Sequence, residues 1–98
     1  MKISSILRRA RYKIRKPGLW GKGPHLQSDR LCIVQAIESA VPPFSPMAFI
    51  HRVVGRFSEA IGGGSVIEWN DSEGCTHAQV LHAFDRAIAL AEKEEVKR

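Results

Sequence analysis

Apolar residues recur at three- and four-residue spacing in four separate stretches of this chain, and no two stretches alternate apolar with polar residues as paired strands would. This periodicity predicts an all-α protein: a single small domain over residues 1–98, of about four helices packed around a central second helix. With 98 residues and 44% hydrophobic content, the chain is long enough to bury a core without disulfide staples.

The first stretch, Lys2 to Lys16, carries Ile3, Ile6, Leu7, Ala10 and Ile14 on one helical face and Arg and Lys around it, and Pro17-Gly18 ends it. Leu19 to Gln27 reads as an ordered loop anchored on the core by Trp20. Ser28-Asp29 offers an N-cap oxygen to the second stretch, Leu31 to Ala40, which is apolar enough to be central, and Pro42-Pro43 stops it. Ser45-Pro46 repeats the start signal for a third helix that reaches the glycines at 62–64. Ser65 to Trp69 is short and β-prone and is expected to be an extended connection, followed by turn chemistry at Asn70-Asp71. Thr76 with Gln79 forms a capping box before a last helix, about His77 to Lys93, whose Phe84 and Ile88 close the core; residues 94–98 are expected to fray.

Charge is unevenly placed. Residues 1–22 hold eight Lys and Arg and no acid, whereas the remainder holds seven against ten Asp and Glu, or 7 − 10 = −3. An anionic partner would meet the N-terminal end first. Arg8, Arg9, Arg11, Lys13, Arg15 and Lys16 are therefore candidate contacts to a nucleic-acid backbone. The same residues fit a solvated outer helix face, an anionic lipid surface, or, in a eukaryotic setting, a mitochondrial presequence. No stretch has the roughly 18 to 20 apolar residues that would span a bilayer, and no signal-peptide leader is recognised, so a cytoplasmic location is expected.

The densest polar cluster is Trp69-Asn70-Asp71 with Glu73, Cys75, Thr76 and His77, just before a helix N-terminus that favours an anion. Trp69, Asn70, Asp71 and His77 are thus candidate ligand-binding residues, and Asp71 with His77 or His82 could act as acid and base on a small molecule. The competing reading makes Asn70 and Asp71 capping residues and Trp69 the turn's hydrophobic anchor. No metal or cofactor is expected: His77 and His82 lie five apart, on different sides of a helix, and Cys32 is read as a small buried hydrophobe. The glycine run matches neither a nucleophile elbow nor a phosphate-binding loop. These readings favour a non-enzymatic interaction or accessory module, acting on a protein partner or as a homodimer.

Trp20 with Gly23, Cys32-x-x-x-Ala36, a third helix, Trp69-Asn70-Asp71, Thr76, and a final helix with Val80, Leu81 and Ala87 form an ordered set of landmarks. In them the chain resembles an uncharacterised family of small helical proteins of actinobacteria, other bacteria and their phages. It differs at Val34-Gln35 and in its more basic first helix. The resemblance implies a compact helical fold with Trp20, Cys32 and the Trp-Asn-Asp turn near one another and Asp71 bonded to backbone amides. It implies no activity.

Overall fold

The computed structural model describes residues 2–23 and 29–97, and these form five α-helices: α1 (Ile3–Lys13), α2 (Ile33–Ala40), α3 (Met47–Ala60), α4 (Val66–Asp71) and α5 (His77–Val96). A 3-10 turn, Pro17–Leu19, follows α1. The all-α reading holds, with α4 added. The broadest packing is of α1 on α5 and on α2, and of α3 on α5, while α2 also touches α3 and α4. Ile6, Leu7 and Ala10 of α1 and Ile14 just past its end are fully buried, so the basic helix supplies a wall of the core. Phe57 meets Phe84 edge-on at 4.8 Å and Trp69 at 6.0 Å, which closes the far side.

Several helix ends differ from the sequence expectation. Helix α1 stops at Lys13, and Ile14 to Lys16 lie beyond it. Its start has no side-chain cap and no acid in the first turn. The Ser4 amide instead donates to Glu95 Oε2 at 3.2 Å and the Ser4 hydroxyl to Oε1 at 2.7 Å. A carboxylate from the end of α5 thereby serves an orphan amide and the positive end of the α1 dipole.

Cys32, not Ser28-Asp29, caps α2. Its thiol sulfur accepts the Gln35 amide at 3.4 Å, and the Gln35 side-chain oxygen accepts the Cys32 amide at 3.1 Å. Ser28 and His25 lie outside the described residues. The start is displaced because Leu31 forms an isolated parallel bridge with Trp20: Leu31 donates to Leu19 O at 2.9 Å and Gly21 donates to Leu31 O at 3.2 Å. That pairing holds Leu31 extended. Cys32 is half-buried, so the buried-hydrophobe reading is corrected as well.

Pro46, with no cap side chain, precedes α3, because the Ser45 hydroxyl donates backward to Pro42 O at 2.6 Å. At the other end Gly62, Gly63 and Gly64 all have φ between +92° and +95°, and Gly63 donates to Ser58 O at 2.8 Å in a helix-terminating turn. Three consecutive left-handed residues require glycine.

The stretch expected to be extended is helix α4. Val66, Trp69 and Asn70, at i, i+3 and i+4, turn toward the core together, and Ser65 Oγ accepts the Glu68 amide at 3.2 Å. With no partner strand, packing overrides the β preference. The capping box of Thr76 and Gln79 at α5 is as expected, with bonds of 3.2 and 3.1 Å. Helix α5 then continues to Val96, past the expected end at Lys93, because Glu94 pairs with Arg56 and Glu95 is bonded to Ser4. Those contacts replace the expected fraying at 94–96.

Candidate functional site

Two polar regions stand out, a buried corner around Asn70 and the exposed outer face of α1. The corner is built from the last turn of α4. Asn70 is 1% exposed, and both ends of its amide are saturated. Oδ1 accepts the Trp20 indole N–H at 2.8 Å and the Ile33 amide at 3.2 Å. Nδ2 donates to Gly21 O at 3.3 Å and to Asp71 Oδ1 at 3.0 Å. One side chain thus joins the Trp20–Gly21 segment, the free first amide of α2, and α4.

Asp71 is exposed, and its Oδ1 also accepts the Gly23 amide at 2.9 Å. It therefore holds the loop after Trp20 and does not cap α5. Lys22 donates to Ser72 O at 2.8 Å and Cys75 O at 3.1 Å, placing a cation on the carbonyls just beyond α4. Burial pushes the Cys75 thiol above its ordinary pKa; Lys22 offsets this in part and Asp71 adds to it. Burial of the thiol thus disfavours the thiolate, the form that reacts.

His77 lies with its ring centroid 6.1 Å from that of Trp20, and its Nε2 hydrogen-bonds Ile14 O at 2.7 Å, which requires Nε2 to carry the proton. Asp71 and His77 are thus tied to different backbone segments and share no hydrogen bond. Trp69 is half-buried against Phe57, and its outer edge lines a shallow groove with Gln79, His82 and Arg86. Trp20, not Trp69, is the buried anchor of this corner. Among the described residues, no three His, Cys, Asp or Glu side chains gather as a metal site.

On the outer face of α1 the six basic candidates divide. Arg8 pairs with Glu92, and Arg11 with Asp85 at 2.9 Å, so both are committed to the α1–α5 interface. The Arg15 guanidinium lies 3.9 Å from the centroid of the Tyr12 ring and donates to Tyr12 O at 2.9 Å. Arg9, Lys13 and Lys16 are exposed and form no ion pair with any described residue. Arg8, Arg9, Tyr12 and Lys13 line a shallow groove whose other wall is Ser39 and Ala40.

The sequence reading did not single out Lys22, Ser4 or Tyr12. For Lys22 and Ser4 the partners lie some 50 and 91 residues away, and nothing local signals them. Tyr12, the chain's only tyrosine, did leave a signal: a large ring placed off the apolar stripe and among cations.

A family model described as a family of unknown function, DUF6197, matches residues 1–90. The chain belongs to DUF6197. No curated protein and no solved structure matches it. Within this DUF6197 chain the matched range holds the whole Asn70 corner and the basic face of α1. The last turns of α5, with Glu92, Glu94 and Glu95, lie beyond it. No described helix is long and apolar enough to cross a membrane.

Proposed function

We propose that this DUF6197 chain is a non-enzymatic interaction module, a single helical domain over residues 1–98, that meets its partner through the basic outer face of α1. One contrast carries this reading. Asn70, Asp71, Trp20 and His77 spend polar groups on backbone and on one another, whereas Arg9, Lys13 and Lys16 are exposed and pair with no acid among the described residues. A saturated corner holds segments together; an unpaired row of cations attracts an anion. A bacterial or phage cytoplasm is the setting we propose, in line with the ordered landmarks from Trp20 to Thr76.

Retention on a heparin column tests this. Reversing Arg9, Lys13 and Lys16 to Glu should lower the eluting salt concentration far more than reversing Arg52, Arg86 and Lys93, which gives the same net charge. Equal elution of the two triple variants would remove the α1 face as the contact surface.

Nucleic acid is the partner class favoured by a specific observation, the exposed Tyr12 ring with Arg15 upon it amid the unpaired cations. A protein partner or a second copy of the chain is the alternative. A catalytic role for Asp71 with His77 has no hydrogen bond between the two to support it.

A further inference from the structure

We infer that the outer face of α1 binds single-stranded nucleic acid, with phosphates on Arg9, Lys13 and Lys16 and a base stacked on the Tyr12–Arg15 pair; this rests on the nucleic-acid reading above. Arg9, Tyr12 and Lys13 fall at i, i+3 and i+4, which aligns them along one side of α1, and Lys16 follows three residues past the helix end. No acidic side chain lines the groove beside them. Of the acids that α5 turns toward α1, Glu92 and Asp85 pair with Arg8 and Arg11, and Glu95 is bonded to Ser4.

Tyr12 decides between kinds of nucleic acid. It is 63% exposed on the polar side of a helix, although its apolar ring would be more stable buried. Its own carbonyl accepts the Arg15 guanidinium that covers the ring, so the aromatic and the planar cation are held as one surface. Such a surface stacks an unpaired base irrespective of its identity. A duplex keeps its bases stacked inside and offers this ring only phosphate and sugar. Three free cations set the strength: for a single strand, the logarithm of affinity should fall with the logarithm of salt with a slope of about −2.

Fluorescence-anisotropy titration of the full chain with an oligothymidylate and with a duplex of equal length, at several salt concentrations, tests the inference. The single strand should bind more tightly than the duplex, with that slope. Tyr12→Ala should weaken it by about five- to a hundredfold, while Tyr12→Phe retains it. The triple Glu variant at Arg9, Lys13 and Lys16 should abolish binding with an unchanged helical circular-dichroism spectrum. Equal affinity for strand and duplex, unaffected by Tyr12→Ala, would overturn this inference and leave nucleic-acid binding standing. No binding of either oligonucleotide at low salt would overturn both, as would binding only to vesicles of phosphatidylserine and phosphatidylcholine.

Discussion

Asn70 holds more of the structure than its neighbours in the Trp-Asn-Asp motif. Asn70→Ala would strand the buried Trp20 indole N–H, the Ile33 amide and the Gly21 carbonyl at once. Each such orphan costs about 1–3 kcal/mol, so a loss of roughly 3 kcal/mol or more is expected. Asp71→Ala removes one exposed backbone tie and should cost about 0.5 to 2 kcal/mol, on the scale of a capping residue. Urea unfolding of both variants ranks them, and a larger loss for Asp71→Ala would contradict the assignment. The motif was legible in the sequence as a joint, but its roles were not. Adjacent residues of similar chemistry are told apart only by partners 37 to 50 residues away, and those partners make Asn70 the buried one.

At the level of helices, the ends carry most of what local sequence did not reveal. The Thr76–Gln79 box was legible because both partners lie within one turn. The α1 start was not, since its partner is Glu95 at the opposite end of the chain. Burial raises the Glu95 pKa, but the hydroxyl and amide of Ser4, with Lys2 and Arg8 nearby, outweigh it and hold the carboxyl below its ordinary value. A depressed folded-state pKa stabilises the fold above the unfolded value, and the gain is lost as pH falls through the folded one. Glu95→Gln should therefore melt below the parent protein at pH 7, and the gap should close as pH falls through the lowered folded-state pKa. A gap that persists in acid would show that the contact does not depend on the charge. Helix α4 was missed for a different reason: five β-prone residues hold no period long enough to read, and the core selects the helix.

Across the whole molecule, the outline was legible because four stretches of helical period leave few ways to bury their stripes. The Cα radius of gyration, 12.6 Å, is that of one compact chain of this length, about 13 Å. What the pattern could not show is how far the folded unit extends. The family match ends at residue 90, yet Ala91 is buried and Glu92, Glu94 and Glu95 all reach other helices. A chain ending at Leu90 should melt lower by about 5–20 °C, the equivalent of roughly 1–3 kcal/mol in a domain this small. Matching midpoints by calorimetry would mean that the last turns of α5 contribute nothing. The removed segment, residues 91–98, has three Lys and Arg and three Glu, so any change cannot come from net charge. A separate consequence follows from the Asn70 corner. The chain's two tryptophans have different neighbours: Trp20 is bonded to the Asn70 amide and stands beside His77, whereas Trp69, in α4, packs against Phe57. Intrinsic fluorescence of this protein is therefore a probe of one end of the core, where the Asn70 corner, the start of α5 and Phe57 meet; neither tryptophan touches the last turns of α5, where Glu92 and Glu95 reach Arg8 and Ser4. Agreement between emission and far-ultraviolet dichroism during unfolding would mean that this end of the core opens in the same step as the helices melt.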